Sequence, residues 1–287
     1  PAKLNLYLRV ISKRPDGYHE IETLFERVDL ADELAFEPAS SLSLTCDDPA
    51  LPADETNLVL RAARRLQAES GVSQGARIHL VKRIPVGAGL GGGSSDAAAT
   101  LIGLSKLWDL PDNPALLDAC AAKLGSDVPF FLGGSPFAVG RGRGERCEPV
   151  QTSRNLVQVL VSPGEPLSTK EIYAGARFNL TAAKPSITML LHALRNGSLS
   201  ELADGLHNDL QPEAIRRCPL IANIQAHLRE LGCLGTLVSG SGSSVYGLCS
   251  DLIQAQGVAA GMRTRLASAR IDIIRTDHQV PSVSPAP

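Results

Sequence analysis

The chain has 287 residues, 44% of them hydrophobic, with a formal net charge of −2 and a sequence pI near 6.4. That length supports a substantial core in about two domains or one large one, and the near-neutral balance excludes the strongly basic surface that a nucleic-acid partner requires. No apolar run approaches the ~20 residues of a membrane span, no signal-peptide pattern is visible, and the six cysteines lack zinc-type spacing, so they read as buried free thiols of a reducing cytoplasm.

At the N-terminus, Leu4, Leu6, Leu8 and Val10 alternate with Lys3, Asn5, Tyr7 and Arg9, which predicts a strand with one wet face. Lys3 taken alone is a solvated lysine. Asn5, two residues on, projects from the same face, so the two can converge on one ligand hydroxyl. The turn Pro15 to Gly17 leads into a second strand, IETLFERVDL, and leaves Tyr18 and His19 beside the turn, where such a pair is ordinarily exposed. Strands are expected at 33–36 and 41–46. Asn57 then opens a helix that Gly71 ends. Arg77 to Ile84 interleaves charged and apolar residues as a half-exposed antiparallel strand does, and Pro85 closes it.

The stretch Pro85, Val86, Gly87, Ala88, Gly89, Leu90, Gly91, Gly92, Gly93, Ser94, Ser95 runs into Asp96 and an alanine-rich segment. Glycines let successive N–H groups turn inward and let an anion approach the backbone, while Ser94, Ser95 and Asp96 are natural caps for a helix beginning near Ala97. A Walker-type loop would place a lysine after a glycine of the run. The first one, Lys106, comes about three turns into the helix. Gly87, Gly89 and Gly92 do spell a dinucleotide fingerprint, but the half-exposed strand before them and the second helix after them do not make a Rossmann unit. A phosphate loop without its own lysine remains, beside the plainer reading of a flexible linker.

That second helix has Asn113 as cap, Pro114 at its first position and Gly125 at its end. Asp127 follows, as readily a turn aspartate as a catalytic one. Short strands are expected around Phe130 and from Pro136 to Val139, then a GRGRG turn and a strand near Glu145. The composition changes after about Val150, and Leu156 to Ser162 opens a second unit. Helices are expected near 186–195, 214–231 and 252–266, with a final strand RIDIIRT. Ser239 to Ser244, SGSGSS, reads either as a hairpin turn or as a second glycine turn at a ligand. The divisions are 1–150, 151–279 and a disordered tail at 280–287.

GLGGGSSDAA resembles the second motif of the GHMP kinases, and the likeness extends to PAKLNLYL at Pro1, RPDGYHEIETLF at Arg14, GSDVPFF at Gly125 and SGSGSSVYG at Ser239. The resemblance implies an α+β, two-domain GHMP kinase fold, with a ribosomal protein S5 domain 2-like N-terminal half and a ferredoxin-like C-terminal half. It implies phosphoryl transfer from ATP, carrying Mg²⁺, to a hydroxyl group. Asp127 then stands beside that hydroxyl and Lys3 pairs with it. The glycine loop, Pro85 to Ser95, holds the phosphates, with Ser95 nearest the nucleotide's Mg²⁺ and no protein-only metal site. Asn57 and Lys82 line the adenine pocket, although either is equally a cap and a surface lysine.

With its inserted glycines the loop resembles that of the branch acting on a cytidine diphosphate-linked polyol in the non-mevalonate isoprenoid pathway. Tyr18 and Tyr173 would sandwich the pyrimidine, His19 would meet its edge, and Asn5, Thr169, Gly240 and Gly242 would face the rest of the substrate. Homoserine and mevalonate kinases, and a non-catalytic nucleotide sensor of the same fold, are the alternatives. A sensor has no need of both Lys3 and Asp127. The partners are small molecules, with neither nucleic acid nor membrane among them, and the sequence leaves the oligomeric state open.

Overall fold

Apolar periods of two and of 3.6 residues alternate along the chain. The computed structural model, which describes residues 1–178 and 185–279, folds them into mixed sheet and helix. The first half runs β1 (Ala2–Lys13), β2 (His19–Val28), β3 (Glu33–Ala39), β4 (Leu42–Cys46), α1 (Leu58–Ser70), β5 (Gly75–Val81), α2 (Gly92–Leu107), α3 (Pro114–Leu124), α4 (Val128–Leu132), β6 (Phe137–Gly142) and β7 (Arg146–Pro149). The second runs β8 (Val157–Ser162), α5 (Thr169–Gly175), α6 (Ile187–Asn196), α7 (Leu199–Asp204), β9 (His207–Asn208), α8 (Gln211–Arg217), α9 (Leu220–Glu230), β10 (Gly235–Val238), β11 (Val245–Cys249), α10 (Leu252–Arg265) and β12 (Arg270–Arg275). The tail expected at 280–287 lies outside the described residues.

The strands form sheets ordered β7-β6-β2-β1-β9, β10-β11-β8-β12 and β3-β5-β4. In the first, β9 comes from the second half and pairs parallel to β1, Tyr7 opposite His207. One core lies between this sheet and the second, joining Leu4, Leu6, Tyr7 and Leu24 to Leu160, Leu237, Tyr246 and Ile274. A second packs α1 to α4 on the three-stranded sheet. The third packs α8, α9 and α10 on the far face of the second sheet.

Local signals are obeyed where capping chemistry sets the ends. The Asn57 side chain accepts from the N–H of Val59, and Gly71 closes α1 at φ +76°. Asn113 accepts from Leu116, with Pro114 inside the first turn of α3.

Elsewhere the structure corrects the expectation. The wet face of β1 does not exist: Lys3, Asn5 and Tyr7 are all buried. A bulge between Asn5 and Tyr7 breaks the alternation, and the second half covers the strand, with the Tyr246 hydroxyl donating to Asn5 O at 3.0 Å. The strand at 77–84 ends at Val81, between antiparallel β3 and parallel β4. Phe130 lies in α4 rather than a strand, because Pro129 sits in a helical first turn and both phenylalanines are buried. The helix expected over 214–231 is two, α8 and α9, divided at Cys218 and Pro219. The short helices α5 and α7, capped by Ser168 and Ser198, go beyond the sequence reading.

Candidate active site

Gly91, at φ +71°, begins α2 without a side-chain cap, so the helix starts at Gly92 and not near Ala97. Ser94, Ser95 and Asp96 therefore lie inside its first turns. With Gly91 as the cap position, Ser95 N–H is the first to bond back, to Gly91 O at 2.9 Å. The N–H groups of Gly92, Gly93 and Ser94 are the ones a helix start leaves for an anion. Three glycines suit this place because side chains would crowd the approach; a Cβ on Gly93 would meet only Leu58, at 3.3 Å. Ser95 is buried and Ser94 half-buried, so Ser94 offers the more accessible hydroxyl.

The preceding turn is clasped by the second half. Ser239 Oγ donates to Gly89 O at 3.0 Å, Ser244 N–H to Ala88 O at 3.2 Å and Leu167 N–H to Gly87 O at 3.1 Å. Gly89 must be glycine: at φ +79° its Cβ would stand 2.0 Å from Ser239 O. Ser239 to Ser244 is thus both the β10–β11 hairpin turn and a wall of the site. Gly240, at φ +55°, lies against Lys3, its Cβ position 3.0 Å from Lys3 Nζ; Gly242 instead backs onto Val238 and Leu167.

Lys3 lies in the middle. Its ammonium donates to Asn5 Oδ1 at 2.5 Å and stands 3.8 Å from Asp127 Oδ2. Asn5 is fixed in turn by donating to Thr23 Oγ1 at 2.8 Å. Burial lowers the Lys3 pKa, and Asp127 opposes that shift. The Lys3 side chain is 5% exposed and that of Asp127 31%, so the carboxylate is the member of the pair that faces an opening. Asp127 precedes α4 without capping it.

The plain sequence reading puts Lys82 at the surface, and the structure buries it instead. Its ammonium is buried between Asp32 Oδ2 at 2.5 Å and Asp96 Oδ2 at 2.7 Å. It lies beneath the glycine loop, 3.0 Å from where a Cβ of Gly92 would be. Burial pushes the Asp32 carboxyl up, but Lys82 and the N–H groups of Ile84 and Arg83 outweigh it and hold it down. Asp96 goes the other way, raised to about 7 by burial against the pull of Lys82. Asp32 carried no sequence signal. Asn57 caps α1 and also donates to Pro52 O at 2.8 Å. Its neighbour Leu58 borders Gly93.

Beside the β1–β2 turn, Tyr18 is 54% exposed, with the Arg143 guanidinium 4.9 Å from its ring centre. The ring stacked on Tyr173 is His19, centroids 5.1 Å apart and planes 24° from parallel, which leaves no room for a base between those two. His19 is lowered from its ordinary pKa by burial and by Lys13. Burial raises Tyr173, as do the charges of Asp127 and Asp209. Thr169 Oγ1 lies 2.9 Å from Ser241 Oγ, so α5 joins this wall. Thr23 and Arg143 belong to the site as well. Neither is visible in sequence, because their partners are 18 and more than a hundred residues away.

Among the described residues no three His, Cys, Asp or Glu side chains group to hold a metal, and no helix is long and apolar enough to cross a membrane.

The family model for the GHMP kinases N terminal domain matches residues 57–135, and that for the GHMP kinases C terminal matches residues 190–268. The 4-diphosphocytidyl-2-C-methyl-D-erythritol kinase of Pelotomaculum thermopropionicum is 44% identical over 277 residues, 96% of each chain. The protein of that name from Salinibacter ruber is 40% identical over 92% of this chain and 94% of its own. The crystal structure of a 4-(cytidine 5'-diphospho)-2C-methyl-D-erythritol kinase superposes with a TM-score of 0.80 at 38% identity, covering 96% of this chain and 97% of the other. The mevalonate kinase of L. major shares the fold at a TM-score of 0.68 and 17% identity, over 96% and 94% of the two chains.

Proposed function

The chain belongs to the GHMP kinase family, and from that premise we propose that it transfers the γ-phosphoryl group of ATP to the 2-hydroxyl of 4-diphosphocytidyl-2-C-methyl-D-erythritol, a step of the non-mevalonate route to isoprenoid precursors. The observation that carries the substrate is the 44% identity to a kinase of that name along 96% of both chains. Mevalonate and homoserine kinases share the fold at 17% and 19% identity.

Phosphoryl transfer passes through a loose transition state, so the protein's task is to position donor and acceptor and to stabilise charge on the equatorial oxygens. We assign the phosphates to the Gly92, Gly93 and Ser94 N–H groups at the start of α2, where donors and helix dipole coincide. Mg²⁺ would enter with the nucleotide, and the half-buried Ser94 hydroxyl would be the protein oxygen at the helix start able to meet it. Asp127 takes the acceptor proton or holds it in a strong hydrogen bond. Lys3 balances the carboxylate and the charge on the group in flight.

Asn57 and Leu58 border the nucleotide, while Lys82 acts from below by neutralising Asp32 and Asp96. Tyr18, His19, Tyr173 and Thr169 form the cytidine side, with His19 fixed by its stack on Tyr173. The two halves, 1–150 and 151–279, contribute the glycine loop and the α5 and 239–244 walls respectively. The six free thiols suit a cytoplasmic protein.

The deciding experiment measures ATP consumption with the cytidyl substrate against mevalonate and homoserine. Turnover confined to the cytidyl substrate supports the assignment. Preference for either other alcohol overturns it, and no turnover with any would favour the nucleotide-sensor reading.

A further inference from the structure

Cys233 and Cys249 hold their sulfur atoms 3.9 Å apart, at the open end of the β10–β11 hairpin whose turn, at the opposite end, is residues 239–244. The backbone makes this pair. Gly232, at φ +94°, turns the chain out of α9, after which Cys233 N–H donates to Leu228 O at 3.0 Å and Leu234 N–H to Leu248 O at 2.9 Å. Those two bonds fix Cys233 against β11.

On β11 the residues at 247 and 249 share a face, and residue 247 is glycine. A Cβ there would lie 2.5 Å from Cys233 Sγ. The thiol therefore fills the space that Gly247 leaves, and this brings it beside Cys249. Both belong to the apolar core under α9 and α10. Cys249 is 1% exposed and Cys233 8%, so only a small reagent reaches them from solvent. The contact between the two sulfurs lowers the Cys249 pKa against the effect of burial and raises that of Cys233, so Cys249 is the one that supplies the thiolate. Among the described residues no other two cysteine sulfurs lie within bonding reach.

We propose that Cys233 and Cys249 are a redox modification site, forming a reversible intramolecular disulfide in the presence of a peroxide. Hydrogen peroxide oxidises one thiol to a sulfenic acid and releases water. The second sulfur then attacks the first, the S–O bond breaks, and the oxygen leaves with the second thiol's proton as another water. In sum the O–O bond and two S–H bonds are lost, one S–S bond forms and two waters leave. The sulfurs must close from 3.9 Å to about 2.0 Å. A dithiol reverses the reaction by exchange.

The test treats the native protein with hydrogen peroxide, quenches it, and then counts thiols after denaturation and maps peptides. Two of the six thiols are expected to disappear, with Cys233 and Cys249 recovered in one linked peptide pair and dithiothreitol restoring both. Because the bond joins residues 16 apart in sequence, the oxidised protein should also melt several degrees higher. Cys233→Ser should form no linked peptide pair under the same treatment, with any Cys249 oxidation stopping at a sulfenic acid that dithiothreitol reverses; Cys233→Ala serves as the control if a buried hydroxyl prevents folding. Six surviving thiols overturn the proposal. So does oxidation confined to the half-buried Cys46 and Cys147, or conversion of either partner to sulfinic acid without a crosslink.

Discussion

Lys3 and Asp127 stand 3.8 Å apart, an ion pair without a close hydrogen bond, because the ammonium turns its short contact of 2.5 Å toward Asn5. The aspartate oxygens are thereby left for a third party. Asp127→Asn should lower kcat by ~10²- to 10⁴-fold with little change in ATP affinity, and Lys3→Ala should be comparably damaging. The double variant should be little worse than either single one, since residues that act as a unit are not additive. Steady-state kinetics on the three variants decides this. An Asp127→Asn enzyme keeping more than about a third of wild-type kcat would remove Asp127 from the chemistry.

Gly93 gives the cleanest test of the phosphate loop. Its Cβ position meets one neighbour, a methyl of the half-buried Leu58 at 3.3 Å, a tight contact that a flexible side-chain end relieves by a few tenths of an ångström, and its backbone is helical. Gly93→Val should therefore fold with a melting temperature near wild type and bind ATP at least ten-fold more weakly by calorimetry, as side-chain bulk enters the anion's approach. Gly89→Val should fail earlier, in folding, because its Cβ would collide with Ser239 O. Unchanged ATP affinity in Gly93→Val would move the phosphates elsewhere.

Tyr173 should matter to the cytidyl substrate both directly and through His19. Base–aromatic stacking is worth ~1–3 kcal/mol per ring removed, so Tyr173→Ala should raise the KM for the cytidyl substrate by roughly 5- to 150-fold. Tyr173→Phe should cost far less. Tyr18→Ala should fall in the same range if its exposed ring receives the base, and the KM for ATP should stay put in both. Comparing KM values for the two substrates separates the rings. An ATP effect from either tyrosine would place it in the wrong pocket.

Glu26 predicts a pH dependence of stability that is separate from catalysis. It is fully buried, and burial raises its carboxyl to about 7 against the hydrogen bonds from Thr276 and Gln158, with Asp29 adding to the rise. An acid whose native pKa lies above its unfolded value of 4.5 contributes stability that is fully present below about 4.5 and is lost as pH rises through about 7. Wild type should thus lose on the order of 1–3 kcal/mol relative to Glu26→Gln between pH 5 and pH 8 in chemical denaturation. Parallel pH profiles would mean that Glu26 is not the group responsible.

Sequence was a sure guide where the physics is local. The caps at Asn57, Gly71 and Asn113 and the proline at 114 set helix ends through bonds a few residues long, and those ends fall where expected. It misled where long-range partners decide. Ser94, Ser95 and Asp96 resemble caps, but the clasp from residues 239–244 shapes the turn that lets α2 begin at Gly92. Lys82 looked exposed because Asp32, 50 residues earlier, gave no sign that it would meet it. The polar face of β1 looked wet because its cover arrives from Tyr246, 241 residues away. Lys3, Asn5 and Asp127 could be grouped from motif resemblance; that Lys3 turns its short bond to Asn5 required coordinates.

The stitch between Gly89 and Ser239 sets an order in time. During synthesis the glycine loop emerges about 150 residues before the serine that buttresses it, and Ala88 waits still longer for Ser244. A nascent chain can complete α1 to α4 and their core well before then, yet its loop lacks the far wall that fixes its shape. Premature termination anywhere upstream of residue 239 therefore leaves an N-terminal fragment able to collapse but unable to present a finished nucleotide cradle, and competence arrives only once residues 239–244 have been made.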